Sequence, residues 1–337
     1  MHEELLKVCN LQVKFKTVHG LVNALNGVDF DIHRNESVGF VGESGCGKSV
    51  TARAIMRILE KNSVMNGSVS LFSRDGTYEL SAYRAKDAKL REIRGGKIAM
   101  IFQEPMSSLC PVYTVGNQLM EAIMLHSSRE KKEAREIATE YLASVGIPRP
   151  SKVIDEYPYQ LSGGMRQRIV IAMALSCHPE LLIADEPTTA LDVTVAAQIL
   201  KLLETLQAQN HMSVMMINHN LGVIAQTCSR VFVMYLGRIV ESAPVDELFD
   251  HPVHPYTMDL LNSIPRLNMQ KGIRLARIKG YVPDPLNIPP GCAYHNRCQY
   301  AQANQCSAQV PEMREVAPGH FAACFFADDC GRKEARA

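Results

Sequence analysis

The chain has 337 residues, a length that suits two domains better than one. It carries 36 Lys and Arg against 35 Asp and Glu, and the resulting net charge of +1 offers no bulk field to attract nucleic acid or an anionic membrane. No apolar run reaches the roughly 18 residues needed to cross a bilayer, and early acidic residues argue against a signal peptide. We therefore expect a soluble protein.

The first element with a chemical role is an apolar strand, predicted over residues 37–41, that runs into a glycine-rich loop. The loop has the spacing Gly-x-x-x-x-Gly-Lys-Ser, and a helix is predicted to begin near Lys48. Glycines let backbone N–H groups approach phosphates, while the helix N-terminus and Lys48 add positive charge. Ser49 would place its hydroxyl on Mg²⁺. The predicted nucleotide-binding residues are Gly42, Glu43, Ser44, Gly45, Cys46, Gly47, Lys48, Ser49 and Val50.

Cys46 allows two interpretations. At the head of the helix, the macrodipole can lower the pKa of a thiol and make it reactive. Alternatively, the side chain is inert and only its backbone matters.

A second helix start follows a segment that is predicted to be mostly helical, including residues 129–144. Ser162, Gly163 and Gly164 precede a predicted helix over residues 165–176 and offer a hydroxyl and unencumbered N–H groups to an anion.

A second apolar strand, residues 181–184, delivers Asp185 and Glu186 at its carboxyl end, where ligands gather in open α/β sheets. Asp185 is predicted to hold Mg²⁺, and Glu186 to accept a proton from the attacking water. The alternative is a solvated acidic turn before Pro187.

In this order, the motifs resemble those of the nucleotide-binding subunits of ATP-binding cassette (ABC) transporters, over about residues 5–245. The resemblance implies that Gln103, after a predicted strand at 97–102, contacts Mg²⁺ and water, and that His219 contacts the γ-phosphate of ATP. By position alone, each would be an ordinary polar residue. His219 departs from the usual pattern in its neighbours, since Asn stands on both sides where a hydroxyl residue and an aspartate are usual.

The resemblance also implies a dimer of motor domains, because residues 162–164 complete the nucleotide site of a partner subunit in that family. Phe15 occupies the position of an adenine-stacking aromatic residue, although an ordinary edge-strand phenylalanine fits equally well. Residues 106–116 would line the groove that receives a membrane subunit.

The last ninety or so residues contain four cysteines in a pattern that narrows the resemblance to oligopeptide and dipeptide permease ATPases: Cys292, Cys298, Cys306 and Cys324. In that family, the four cysteines of this pattern hold a 4Fe–4S cluster, so the resemblance implies such a cluster here. Structural zinc, disulfides and a merely buried set of cysteines remain alternatives. Cys330 lies beyond the pattern.

The expected fold class is therefore α/β: an ABC-type P-loop ATPase domain over residues 1–245, with a helical subdomain at about 104–177, and a cysteine-rich extension over 246–337. The expected function is the ATP-hydrolysing subunit of an importer for peptides or related cargo, at the cytoplasmic face of a bacterial inner membrane. The implied partners are a second, non-identical ATPase subunit, two membrane permease subunits and an extracytoplasmic substrate-binding protein, without nucleic acid. The alternative is a soluble cassette protein that acts on nucleic acid or the ribosome.

Overall fold

A computed structural model describes residues 3–103, 108–189, 191–264 and 278–327. Met106, Ser107 and Cys330, which figure in the sequence predictions, lie outside these residues. The chain forms two compact units. Unit 1 draws its described residues from 1–6, 32–36 and 70–217, and unit 2 from 7–31, 37–69 and 218–337.

The strands, in chain order, are β1 Glu4–Thr17, β2 Gly20–His33, β3 Ser37–Val41, β4 Ser63–Ser73, β5 Gly76–Glu79, β6 Ile98–Ile101, β7 Leu181–Asp185, β8 Ser213–Ile217, β9 Arg230–Tyr235, β10 Arg238–Pro244, β11 Arg314–Ala317 and β12 His320–Ala322.

The helices are α1 Lys48–Ile55, α2 Ala88–Gly96, α3 Val115–His126, α4 Lys131–Ser144, α5 Pro150–Val153, α6 Gly163–Leu175, α7 Val193–Asn210, α8 Leu221–Thr227, α9 Val245–Asp250, α10 Pro255–Asn262 and α11 Ala303–Cys306. Short 3₁₀ turns occupy Leu80–Ala82 and Pro158–Gln160.

Unit 1 is built around three parallel strands in the order β8-β7-β6, with Ile98 opposite Leu181 and Leu181 opposite Ser213. All residues of these strands are buried, as expected for parallel strands covered on both faces. Helices α3, α4 and α6 pack against one another, and α6 also packs on β6. This confirms the mostly helical segment that the sequence predicts between Gln103 and Leu161.

Unit 2 holds strands in the order β11-β12-β10-β9-β3, in which β3 and β9 are parallel and the other neighbours are antiparallel. Its core includes the rings of Phe30, Phe40 and Phe232. The centroid of the Phe40 ring lies 4.9 Å from that of Phe30 and 5.0 Å from that of Phe232. Strands β2, β1 and β4 form a second sheet, and the end of β4 pairs with β5 within unit 1.

The structure confirms the predicted strand at Ser37–Val41 and the helix start at Lys48. The hairpin formed by β11 and β12, which adds to β10 at the edge of the unit 2 sheet, was not predicted from the sequence. Its signal is the dipeptide Pro318-Gly319, a turn marker that lies between two short runs. Among the described residues, no helix is both long enough and apolar enough to span a bilayer.

Candidate functional site

The glycine-rich loop leaves the end of β3 and enters α1, the strand–loop–helix arrangement that a phosphate loop requires. Gly42 and Gly47 have φ values of 146° and 110°, which side-chain-bearing residues rarely adopt. A Cβ atom on Gly42 would lie 2.2 Å from the carbonyl oxygen of Met234, and one on Gly47 would lie 2.9 Å from that of Ala24. Both positions therefore require glycine.

Lys48 places its charge inside the loop rather than in solvent. The side chain is 6% exposed, and Nζ donates hydrogen bonds to the carbonyl oxygens of Gly42 at 2.7 Å and Glu43 at 3.2 Å. Ser44 and Gly45 are exposed at the outer edge of the loop, and Ser49 and Val50 are half-buried in the first turn of α1. The arrangement is a positively charged cradle with accessible backbone at its rim.

Cys46 does not have the lowered pKa that the first interpretation expected. It is 1% exposed, and burial raises the pKa of the thiol although Lys48 acts in the opposite direction. The structure therefore favours the second interpretation, an inert side chain, because burial raises the pKa of the thiol more than the charge and hydrogen bonds of Lys48 lower it. Its backbone has a clear role instead: the carbonyl oxygen accepts a hydrogen bond from the N–H of Gly237 at 2.9 Å.

In unit 1, the end of β7 presents the two predicted carboxylates. Asp185 is 2% exposed, while Glu186 is half-buried and has a φ of 48°. Left-handed backbone at a residue other than glycine costs about 1–3 kcal/mol and is concentrated at functional sites. A hydrogen bond from the N–H of Glu186 to the carbonyl oxygen of Ile217, at 2.9 Å, holds this backbone.

The structure brings Gln103 and Glu186 together, as a shared role requires. Gln103 Nε2 donates to Glu186 Oε2 at 3.0 Å, and the Thr189 hydroxyl donates to the same oxygen at 2.8 Å. Sequence reasoning missed Thr189, whose only signal is a hydroxyl three residues after the carboxylate. Both donors are neutral, so they orient the carboxylate without adding a charge.

His219 is exposed in unit 2, between β8 and α8 in the sequence. The asparagines on either side of it, which are unusual for the family, have structural roles. The Asn218 side chain accepts from the Asn220 N–H at 2.8 Å, and the Asn220 side chain accepts from the Gly222 N–H at 2.9 Å and caps α8. Asn218 N–H donates to Phe40 O at 3.3 Å. These hydrogen bonds anchor the segment that carries His219 without the usual aspartate.

Ser162 is the N-cap of α6, with its hydroxyl accepting from the Met165 N–H at 3.3 Å. The two glycines differ. A Cβ atom on Gly164 would lie 2.8 Å from Val195 Cγ1 of α7, whereas one on Gly163 would meet nothing closer than 3.8 Å. Gly164 is therefore needed for helix packing, in addition to any role in binding an anion.

Phe15 lies in β1 and is half-buried. The N–H of Asn23, in the following strand, donates to Pro285 O at 3.2 Å, so the proline-rich segment contacts the β1–β2 hairpin.

The four predicted cysteines line one cavity in unit 2: Cys292, Cys298, Cys306 and Cys324. Burial raises the pKa of Cys292 to about 11 and that of Cys298 to about 12, and charge on the neighbouring cysteines contributes to both shifts. All four are free thiols, so they form no disulfide. Among the described residues, no three His, Cys, Asp or Glu side chains are grouped tightly enough to hold a metal ion.

Comparisons with known proteins identify the family. The family described as ABC transporter matches residues 25–189, and that described as oligopeptide/dipeptide transporter, C-terminal region, matches residues 240–306. The probable peptide ABC transporter ATP-binding protein y4tR of Sinorhizobium fredii is 48% identical over 95% of this chain and 94% of its own length. The chain belongs to the ABC transporter family.

Other relatives agree with this assignment. The oligopeptide transport ATP-binding protein AppD of Bacillus subtilis is 45% identical over 98% of this chain and 99% of its own length. A dimeric structure of the ATP-binding cassette MJ0796, bound to ADP and phosphate, has a TM-score of 0.62 and 26% identity over 72% of this chain and 99% of that one. The predicted α/β ABC-type fold is confirmed. The chain is an ABC ATPase whose hydrolysis is coupled to transport, and the alternative role on nucleic acid or the ribosome is not favoured.

Proposed function

We propose that this chain powers the import of peptides through separate membrane subunits. The observation that carries the proposal is the match of residues 240–306 to the oligopeptide/dipeptide transporter C-terminal region, together with relatives named for peptide transport and peptide import. A di- or oligopeptide is the proposed cargo class.

The phosphate loop, residues 42–50, is the proposed binding segment for the ATP phosphates, with Lys48 as its fixed charge. Glu186 is the proposed general base, since its carboxylate is oriented by Gln103 and Thr189 and can accept a proton from water. His219 is proposed to contact the γ-phosphate, and Phe15 to stack on adenine.

Ser49, Gln103 and Asp185 are the proposed Mg²⁺ ligands. Their donor chemistry fits, because Mg²⁺ prefers oxygen ligands and Asp185 offers a carboxylate that burial keeps in place. When bound, Mg²⁺ would neutralise charge on the phosphates.

The partners are proposed from what is typical of the family. We infer that residues 162–164 complete the nucleotide site of a second ATPase subunit that differs from this one. Two permease subunits and an extracytoplasmic substrate-binding protein complete the transporter, with this chain at the cytoplasmic face of the membrane. The proposed ATPase domain is residues 1–245, with its helical subdomain at about 104–177, and the extension is 246–337.

Purified alone, the chain should hydrolyse ATP slowly, and high activity independent of concentration in a monomer would contradict the shared site.

The cysteine cavity is the proposed site of a structural 4Fe–4S cluster. Four thiols line one cavity, and burial together with charge on the neighbouring cysteines raises the pKa of Cys292 and Cys298. A cationic iron core would fit this site, because it would offset the cost of burying thiolates close together. A single zinc ion needs all of its sulfur ligands about 2.3 Å away, whereas a four-iron cluster binds each thiolate to a separate iron and tolerates a wider spacing. Bound, the cluster would supply a covalent staple for a segment with little apolar core of its own.

Iron and acid-labile sulfide in anaerobically purified protein test this site. We expect both, with loss in Cys298→Ser and retention in Cys330→Ser. Stoichiometric zinc without sulfide would contradict the cluster.

Peptide uptake tests the proposed function as a whole. Cells that rely on this transporter should accumulate a labelled oligopeptide with the wild-type chain and lose that uptake with Glu186→Gln, while Glu204→Gln, on the exposed face of α7, should retain it. Retained peptide uptake with Glu186→Gln, or uptake of no peptide by the wild type, would overturn the proposal.

A further inference from the structure

One side chain of the cysteine-bearing segment reaches the phosphate loop. The two terminal nitrogens of Arg297, Nη1 and Nη2, donate to the two carboxylate oxygens of Glu43, at 2.6 and 3.0 Å. Glu43 is the second residue of the loop, and its backbone N–H donates to the Tyr256 hydroxyl at 2.8 Å. The loop is thus held from the C-terminal segment through both a side chain and the backbone.

Arg297 is itself fixed in place. Its side chain is 4% exposed, Nε donates to the carbonyl oxygen of Lys279 at 2.9 Å, and Nη1 also donates to the Tyr235 hydroxyl at 3.3 Å. The rings of Tyr235 and Tyr294 lie 5.8 and 5.7 Å from the guanidinium carbon. A buried guanidinium is costly unless it is paired, and its planar fork matches a carboxylate better than an ammonium does. Arg297 and Glu43 therefore form a rigid pair.

The backbone around Arg297 belongs to the turn that positions two of the four cysteines. The N–H groups of Arg297 and Cys298 both donate to Tyr294 O, at 3.0 and 3.1 Å. The Cys292 N–H donates to Cys306 O at 2.7 Å and ties this turn to a third cysteine. A change that orders or loosens the cysteine turn must therefore reach Arg297.

The phosphate loop has two reasons to need such a support. Its glycines, at positions 42, 45 and 47, make the loop costly to order, because glycine loses more conformational freedom than any other residue. In addition, the Glu43 carboxylate is a negative charge within a loop that is to receive phosphates, and like charges repel. Arg297 answers both requirements, since it restrains Glu43 and neutralises it.

We propose that Arg297 is a positioning residue for nucleotide binding, and that through it the order of the cysteine turn sets the affinity of the phosphate loop for nucleotide. The inference rests on the proposed assignment of the phosphates to residues 42–50. Such coupling is reciprocal, so bound nucleotide also stabilises the cysteine turn.

The test is equilibrium binding of ADP to the full-length chain, which needs no hydrolysis. Arg297→Gln should weaken binding by about 5–150-fold, the range typical of coupled sites. Arg297→Lys should weaken ADP binding less, because lysine keeps the positive charge although it lacks the two-nitrogen fork of the guanidinium. The matched control is Arg314→Gln, an exposed arginine of the same C-terminal segment, which should bind like the wild type.

A double variant separates positioning from a loss of folding. In Glu43→Gln/Arg297→Gln the unpaired carboxylate is gone, so the double variant should bind ADP more tightly than Arg297→Gln alone. Binding as weak as that of the single variant, or weaker, would overturn the positioning role.

The link to the cysteine turn is tested by Cys298→Ser in two backgrounds. It should weaken ADP binding when Arg297 is present and change it little in the Arg297→Gln chain, whether or not iron is found in the protein. Equal effects in both backgrounds would overturn the coupling. Lys48→Ala separates a failure of this inference from a failure of the proposed nucleotide site. If Lys48→Ala leaves ADP binding unchanged, the assignment of the phosphates to the loop fails. If Lys48→Ala weakens ADP binding but Arg297→Gln does not, only the inference about Arg297 is overturned.

Discussion

Two loops of the molecule hold a glutamate after a parallel strand, and they hold it in opposite ways. After β3, the half-buried Glu43 forms an ion pair with the buried Arg297. After β7, Glu186 accepts hydrogen bonds from the neutral groups of Gln103 and Thr189 on strained backbone. A carboxylate that anchors a loop is best neutralised by a cation, whereas one that must accept a proton is better oriented by groups that do not compete for its charge. The contrast supports the proposed roles, anchoring for Glu43 and proton transfer for Glu186.

The largest effect is expected from a substitution that removes the proposed proton acceptor. Glu186→Gln keeps the shape of the side chain, so we expect ATP binding to be retained while hydrolysis in the assembled transporter falls by about 10²–10⁴-fold. Single-turnover hydrolysis and nucleotide binding check this, with Glu204→Gln as the matched control. Wild-type turnover in Glu186→Gln would remove Glu186 from the chemistry.

The next effect concerns the charge inside the phosphate loop. Lys48→Ala removes hydrogen bonds from an ammonium and should weaken nucleotide binding by about 10–100-fold, as expected for hydrogen bonds to charged groups. Titration with ADP measures it, and Lys201→Ala, an exposed lysine of α7, is the control. Unchanged affinity would show that the phosphates bind elsewhere.

How much of this the sequence reveals depends on how local each feature is. The phosphate loop and the Asp185–Glu186 strand end could be predicted because spacing over a few residues defines them. The Arg297–Glu43 pair could not, since the partners are 254 positions apart and neither stands in a recognisable pattern. The reactive-thiol interpretation of Cys46 is not favoured for a related reason: its pKa depends on burial, which the tertiary structure creates.

A third prediction separates the two glycines at the start of α6. Gly164→Ala would force a methyl group against Val195 and should reduce the free energy of unfolding by about 1–3 kcal/mol, the usual cost of overpacking. Chemical denaturation measures it. Gly163→Ala, whose Cβ would meet Leu191 Cδ2 at an ordinary contact distance of 3.8 Å, is the control, and Val195→Ala should rescue Gly164→Ala. Equal stability of the two glycine variants would contradict the packing role.

The smallest effect is a pH dependence of the C-terminal hairpin. Burial lowers the pKa of His320, but hydrogen bonds and charge from Glu241 and Glu247 outweigh it and raise the pKa above its usual value. The stability that protonated His320 gains from these glutamates is fully present below the pKa of a histidine in the unfolded chain, about 6.5. It is lost as the pH rises through the higher pKa of His320 in the folded protein. Burial lowers the pKa of His254 to about 4, so its contribution is lost as pH falls from about 6.5 towards that value.

Thermal unfolding of the full chain between pH 5.5 and 8.5 tests these signs. His320→Gln should remove much of the decrease in Tm on the alkaline side, while His251→Gln, at an exposed histidine after α9, should not. An unchanged alkaline slope in His320→Gln would contradict the assignment.

The contrast between the two glutamates is tested most directly by one paired measurement in the assembled transporter: the ATP dissociation constant and the hydrolysis rate at saturating ATP, for Glu186→Gln and Arg297→Gln. We predict that Glu186→Gln lowers the hydrolysis rate and leaves the ATP affinity unchanged, while Arg297→Gln weakens the affinity and leaves the saturated rate near that of the wild type. If both variants change the same quantity, the division between an anchoring and a proton-accepting glutamate is wrong.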